Sequence, residues 1–318
     1  MNLVDGVLAG DRLALSRLLT AVENDTPAGR AGLDALFAHT GRAYLVGITG
    51  SPGTGKSSLV NRLAKLFRNP PDGRPAWRVA VVAVDPTSPF TGGAVLGDRV
   101  RMRDCAGDPG VFIRSMASRG ALGGLAVQTA AVTQVFDAAG YDVILIETVG
   151  AGQAEVDIAS LAHTTLVVEA PGLGDDIQAI KAGILEIADV LVINKADLAG
   201  ADNTRRALQT MLERAPAKRW PARLVSTVAV SGTGMEELFG AILDHYQFLK
   251  SSQEWQRRDV QRLRAGLDEL IRAELVRRWR EDTPAEIYES VLSRMAGRKL
   301  SPFEALDDLL TTRKQAAG

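Results

Sequence analysis

"GITGSPGTGKSSLV", residues 47–60, decides how this chain is read. Gly47, Gly50, Gly53, Gly55 and Pro52 make it too flexible for a helix, and Ser51, Thr54 and Lys56 make it too polar for a buried strand. Gly50, Ser51, Pro52, Gly53, Thr54, Gly55, Lys56 and Ser57 match G-x-x-x-x-G-K-[ST], and Ser58 follows. The apolar run 43–49 precedes the match, and the helical pattern "SSLVNRLAKLF" follows it, which is the context a phosphate-binding loop needs. Backbone N–H groups free of Cβ obstruction converge on phosphate oxygens, and the helix N-terminus adds positive partial charge. Lys56 reaches the β and γ phosphates, and the Ser57 hydroxyl ligates Mg²⁺.

Working outward, short β-rich runs alternate with helical patterns. The runs are 43–49, 79–84, 111–113, 142–147, 164–169, 189–194 and 223–230. Most are apolar without strict alternation, as in strands buried on both faces of a parallel sheet. The fold class is α/β, a doubly wound, mostly parallel sheet. Before it, residues 1–41 read as a helical extension, with Thr26 as N-cap and Pro27 at the first helical position of one helix. Residues 42–248 form the central domain, and 249–318 read as a helical segment. There Val260, Leu263, Leu267, Leu270, Ile271, Leu275 and Trp279 make an apolar stripe on a long charged helix. Thr283–Glu286 and Ser301–Glu304 have the form of capping boxes, and Gly297 suits the stop between them. The stripe is buried either on its own domain or against a second subunit, where Trp255 and Trp279 suit an interface.

Composition narrows the function classes. The chain has 318 residues, 46% hydrophobic and 24% charged, with net charge −1. That balance fits a globular protein and gives no overall field for nucleic acid. The single cysteine, Cys105, excludes an internal disulfide and a Cys-rich zinc site; it reads as a small buried side chain. The opening residues form neither a signal peptide nor an anchor, and no apolar run approaches the ~20 residues of a membrane helix. The expected location is the cytoplasm.

"VINKADL" puts Asn194, Lys195 and Asp197 at a strand end in the N-K-x-D pattern. A carboxylate at Asp197 accepts both the N1–H and the 2-amino protons of guanine. Adenine has an acceptor at N1 and no 2-amino group, so the buried charge would lose its partner. Asn194 is expected at the far edge of the base, the Lys195 stem over its face, and Ser231 and Gly232 in the loop backing it. Three acids are candidates for the metal and the attacking water: Asp85, Asp98 and Glu147. Glu147 ends an apolar strand and precedes Thr148-Val149-Gly150, the Walker-B and second-switch position, with the Gly150 N–H sensing the γ-phosphate. Gln153 and Glu155 are candidates to orient water. Arg99, Arg101, Arg103, Arg114 and Arg119 are candidates to stabilise charge in cis, or are surface arginines. Lys181 sits in "PGLGDDIQAIKAG", a candidate third switch.

The segments "GITGSPGTGKSSL", "VDPTSPFTGGAVLGDR", "RSMASRGALGGLA", "ETVGAGQAEVD" and "PGLGDDIQAIKAGILEIADVLVINKADL" resemble the MeaB/ArgK-type G proteins of the SIMIBI class of P-loop GTPases. The resemblance spans nearly the whole chain, and Glu147–Gly150 replaces the usual D-x-x-G. It implies a homodimeric GTPase with Mg²⁺ and GTP or GDP as ligands, and the amphipathic tail puts the expected subunit contact on the C-terminal helices. It also implies a chaperone that gates adenosylcobalamin delivery from an adenosyltransferase to methylmalonyl-CoA mutase and protects that mutase. Carried over by motif, Lys56 and Ser57 hold phosphate, Asp85, Asp98 and Glu147 form the Mg²⁺ shell or position water, and Asp175, Gln178 and Lys181 lie in the third switch. A kinase handing the γ-phosphoryl to a metabolite or transport protein shares the phosphate loop. A nickel-type metallochaperone GTPase would want a Cys/His cluster, but Cys105, His39, His163 and His245 are far apart in sequence.

Overall fold

The computed structural model describes residues 2–86, 105, 107–118, 124–148, 154–172 and 186–316. It divides into two compact units, residues 1–263 and 264–318.

The first unit is built on seven parallel strands in the order β3-β2-β4-β1-β5-β6-β7. They are β1 (Tyr44–Thr49), β2 (Val79–Pro86), β3 (Val111–Ser118), β4 (Val143–Glu147), β5 (Thr164–Glu169), β6 (Val190–Ile193) and β7 (Arg223–Ser226). β1 is buried along its whole length, which explains a run apolar on both faces. Tyr44, Val46 and Ile48 face one layer, formed by α4 (Lys56–Arg68) and α8 (Met235–Ser251). Leu45 faces the other, built from α2 (Arg12–Glu23), α5 (Gly124–Ala138) and α6 (Ala154–Leu161). A Cβ on Gly47 would lie 2.5 Å from Ile158 Cγ1, so glycine lets α6 rest directly on β1.

The helices before the sheet, α1 (Leu3–Leu8), α2 and α3 (Pro27–Leu36), share this second layer: Val7, Leu15, Leu18 and Leu19 lie in one core with Leu45, Ala80 and Ile144. Their starts follow local chemistry. Asp11 accepts N–H bonds from Leu13 and Ala14, and the Thr26 hydroxyl accepts from Gly29 with Pro27 at the first position. α7 (Ala201–Arg214) buries Leu208 against Val167, Leu191 and Ile193.

Three sequence expectations change. β7 ends at Ser226 rather than at residue 230, because its partner β6 ends at Ile193 and the Val228 N–H turns back to Thr233 O. β3 runs to Ser118, paired with β2 along its whole length. Trp255 does not sit at an interface. It is buried in the first unit, stacked on His163 at 3.9 Å, with Lys250 Nζ 3.3 Å from its ring centre.

α9 (Glu254–Asp282) begins in the first unit and ends in the second, which also holds α10 (Ala285–Ala296) and α11 (Pro302–Ala316). The Ser301–Glu304 capping box forms: Ser301 N–H donates to Glu304 Oε2 at 2.8 Å, and Glu304 N–H to Ser301 Oγ at 3.3 Å. The Thr283–Glu286 box does not, since α10 is flanked by Pro284 and has no side-chain cap. Gly297 follows α10 with φ −77°, and the left-handed residue is Arg298 at φ 55°. Leu267, Leu275 and Phe303 are 58%, 60% and 82% exposed, so these helices carry exposed apolar side chains among the described residues.

Candidate nucleotide site

The phosphate loop joins the end of β1 to the start of α4, at the carboxyl edge of the central strands, where parallel α/β sheets bind ligands. Gly50 and Gly55 take φ 134° and 90°. A Cβ on Gly50 would run into the Val168 carbonyl oxygen, and one on Gly55 would lie 2.5 Å from Asn194 Nδ2. Only glycine fits either place. Thr54 closes the turn by donating its hydroxyl to Ser51 O at 3.0 Å. Gly53, also at positive φ, lies in the same turn beside Pro52.

α4 starts after Gly55 with no side-chain cap, leaving its first N–H groups for an anion. Lys56 is buried, and its ammonium donates to Gly50 O at 2.8 Å and Ser51 O at 3.0 Å, folded over the loop. Ser58, half-buried, is on the same first turn. These groups fit a polyphosphate.

The Ser57 hydroxyl donates to Glu147 Oε1 at 2.6 Å, both side chains being buried. β4 lies beside β1 with Ile48 in register with Glu147. Thr148 ties the strand ends again, its N–H to Ile48 O and its hydroxyl to Thr49 Oγ1, both at 3.0 Å. A hydroxyl and a carboxylate side by side under the loop are hard oxygen donors, the chemistry that suits Mg²⁺. Asp85 lies at the end of β2, in register with Ala117; its side chain is outside the described positions. Asp98, Gly150, Gln153, Asp175, Gln178 and Lys181 lie outside the described residues, as do Arg99, Arg101, Arg103 and Arg119, while Glu155 is in the first turn of α6 with its side chain outside the described positions. Arg114 is engaged elsewhere: its Nε donates to Glu23 Oε2 at 3.1 Å on α2, so it joins β3 to the N-terminal helices.

Asn194 opens the N-K-x-D run directly after β6. It is buried and bonded to the protein itself: Nδ2 donates to Thr54 O at 2.8 Å, while Oδ1 accepts from Thr227 Oγ1 at 3.1 Å and Ala229 N–H at 3.0 Å. It therefore braces the phosphate loop against the loop after β7. Lys195 follows at φ 57°, and Asp197 is exposed. The groups that meet Asn194 are Thr227 and Ala229, two residues that sequence reading did not single out. Ser231 closes its own turn, donating to Val228 O at 3.2 Å, and Gly232 takes φ 92° in that turn. A buried asparagine after an apolar strand was the available signal, since such an amide needs several partners.

The two deeply buried histidines belong to the opposite end of the strands. His163 Nδ1 accepts the Leu45 N–H at 3.0 Å, so Nε2 carries the proton and donates to Asp259 Oδ1 at 3.0 Å. His245 Nδ1 lies 2.7 Å from Thr164 Oγ1, which also bonds the Tyr44 hydroxyl. Burial holds both rings below the usual histidine range, His245 down to about 4. Arg258 closes this region with paired bonds of 2.8 Å to Asp189. Cys105 is buried, its thiol 3.1 Å from Asn61 Oδ1. Among the described residues no three His, Cys, Asp or Glu side chains cluster as a metal site. Among them, too, no helix is long and apolar enough to cross a membrane.

A Gly-rich loop between a parallel strand and a helix, a buried lysine folded on it and a carboxylate against the loop serine define a P-loop nucleotide-binding protein. The model of the family "Methylmalonyl Co-A mutase-associated GTPase MeaB" matches residues 15–284, and the chain belongs to that family of GTPases, which hydrolyse GTP to GDP and phosphate. A protein of Pyrococcus abyssi named as a GTPase is 44% identical over 97% of this chain and 95% of its own length. The GTPase ArgK of Escherichia coli is 36% identical over 92% of this chain and 93% of its own. A mitochondrial methylmalonic aciduria type A homolog of Caenorhabditis elegans is 28% identical over 98% of this chain and 82% of its own. Among solved structures, a LAO/AO transport system kinase superposes with TM-score 0.74 and 26% identity, over 98% of this chain and 96% of that one.

Proposed function

We propose that this GTPase is a Mg²⁺-dependent switch that chaperones methylmalonyl-CoA mutase and gates adenosylcobalamin delivery to it from an adenosyltransferase. The observation that carries the switch is the Asn194 side chain, which joins the phosphate loop at Thr54 to the base-side loop at Ala229. One rigid unit then grips both ends of a nucleotide. The client is supported by the family's description and by the name of the nematode relative.

In this reading the Lys56 ammonium turns from the carbonyls of Gly50 and Ser51 to the β and γ phosphates, within the same loop. Ser57 and Glu147 hold Mg²⁺, with Asp85 and Asp98 as further oxygen donors. The ion supplies charge neutralisation on the phosphate oxygens. Gly150 senses the γ-phosphate, Gln153 orients water, and Asp175, Gln178 and Lys181 report the nucleotide state to the client. Asp197 reads guanine, with Lys195 on its face and Ser231 and Gly232 behind it. The protein works in the cytoplasm as a homodimer joined through α9–α11, whose exposed apolar residues support that surface, and it engages neither nucleic acid nor membrane.

Pull-down from a lysate with the protein loaded separately with GTP and GDP tests the client. Retention of the mutase in one state only is expected; equal retention, or none, removes the mutase reading. The kinase named in the solved neighbour supports a second reading, transfer of the γ-phosphoryl to an acceptor. A phosphorylated product from candidate acceptors would favour it over hydrolysis.

A further inference from the structure

Arg62 lies six residues beyond Lys56 on α4, ~9 Å further along the same helix. Its guanidinium reaches over to the loop after β7, where Nε donates to Ala229 O at 3.0 Å and an Nη to Val230 O at 2.6 Å. The Ala229 residue is thereby held from both sides, its N–H by Asn194 and its carbonyl by Arg62. A closed ring of bonds results. It runs from Thr54 O to Asn194, through Ala229 to Arg62, and back along α4 to the phosphate loop.

We propose that Arg62 is a positioning residue for guanine-nucleotide binding, fixing the base-side loop to the helix that carries the phosphate grip. The inference rests on the guanine-nucleotide reading above. The loop needs such a brace. Val230 is 80% exposed and gives it little apolar anchorage, while Gly232 and Gly234 sit at positive φ. A planar guanidinium that donates to two successive carbonyls fixes the loop's orientation, which a single point charge does not. A Cβ on Gly232 would lie 3.9 Å from Arg62 Cζ, so the guanidinium sits close beside the turn. Without Arg62 the loop keeps its Asn194 bond and its internal turn, Gly232 N–H to Val228 O at 2.8 Å, so the chain still folds. It then has to be ordered when nucleotide binds, at a cost in affinity for the nucleoside part alone.

Calorimetric binding of GDP, ADP and inorganic tripolyphosphate to the wild type, Arg62→Ala and Arg62→Lys tests this, with circular dichroism as the folding check. Arg62→Ala is expected to weaken GDP about tenfold and tripolyphosphate less than about twofold. Arg62→Lys, able to serve one carbonyl, is expected to fall between. GDP affinity within about twofold of wild type, or equal losses for both ligands, overturns the inference. Wild type binding ADP as tightly as GDP removes instead the guanine reading on which it rests. Should Arg62→Ala not fold, Arg62→Lys carries the same comparison, and equal weakening of both ligands overturns the proposal.

Discussion

Ser57 on the first turn of α4 and Glu147 at the end of β4 share a 2.6 Å hydrogen bond beneath the phosphate loop. A hydroxyl that donates to a carboxylate presents its lone pairs outward, and the carboxylate is held in place by the parallel pairing of β1 and β4. Chelating divalent ions is therefore expected to lower the wild type's GTP affinity. Ser57→Ala should begin weaker, by about tenfold, and respond little to chelation. Titration of a fluorescent GTP analogue with and without EDTA checks this. A Ser57→Ala protein that still gains as much affinity from Mg²⁺ as the wild type would remove Ser57 from the metal's partners.

Asp197 is exposed three residues beyond the buried Asn194, so its carboxylate is open to a base. Asp197→Asn replaces two acceptor oxygens with one acceptor and one donor. Guanine then meets a donor where its 2-amino group needs an acceptor, while xanthine, with a carbonyl at that position, is matched. GDP affinity is expected to fall by at least about a hundredfold and xanthosine diphosphate affinity to rise. Competition binding measures both; a variant still preferring GDP places base recognition elsewhere.

The phosphate loop and the parallel sheet were legible in the sequence because each is dictated locally. Gly50 and Gly55 stand where no Cβ fits, and β1, β4 and β5 are apolar on both faces. What the sequence misled on depends on partners distant along the chain. "RLVSTVAV" reads as one strand, yet it is cut at Ser226, because β6 ends at Ile193, the Val228 N–H turns back to Thr233 O, and Asn194, more than thirty residues earlier, takes the Ala229 N–H. Trp255 has the composition of an interface residue, but it is buried, with His163 stacked on it and the Lys250 ammonium over its ring. Arg62 carries no local signal, since a lone arginine on an amphipathic helix looks like any solvated charge.

Gly50 offers a steric test of the loop. At φ 134°, with the Val168 carbonyl where a Cβ would go, Gly50→Ala must push β5 away or bend the loop. Loss of nucleotide binding and a destabilisation of roughly 2 kcal/mol or more are expected. Gly73, also at positive φ but with open space around it, is the control, and Gly73→Ala should cost about 1 kcal/mol. Denaturant unfolding of the two variants checks this, and equal losses would count against a special role for the Val168 contact.

Stability should respond to acid through His245. Its ordinary pKa is 6.5, and burial lowers it to about 4 in the folded chain. Between those values the unfolded chain holds a proton that the folded chain refuses, so stability present at neutral pH is lost as pH falls from 6.5 toward about 4. His163, also lowered by burial, acts in the same direction. His245→Gln does not titrate there and can still bond Thr164. It is expected to unfold at lower temperature than wild type near neutrality, but to lose less on going to about pH 5. Thermal melts across that range decide it; parallel pH slopes would show that His245 does not set the acid response.

The last prediction concerns where the chain can be cut. Trp255 is buried in the first unit, and Arg258 makes two 2.8 Å bonds to Asp189 at the foot of β6. A chain ending at Leu249 would remove both and leave the Asp189 carboxylate without its guanidinium. The lost tryptophan alone is worth about 3–5 kcal/mol, so that fragment is expected to fold poorly. A chain ending at Leu263 retains the whole first unit. It is expected to bind GDP and to sediment as a monomer, because the exposed apolar residues Leu267, Leu270, Ile271 and Leu275 are gone. Sedimentation velocity on the full chain and on both fragments separates folding from association. A Leu263 fragment that still dimerises would move the subunit contact off α9–α11 and onto the nucleotide-binding unit itself.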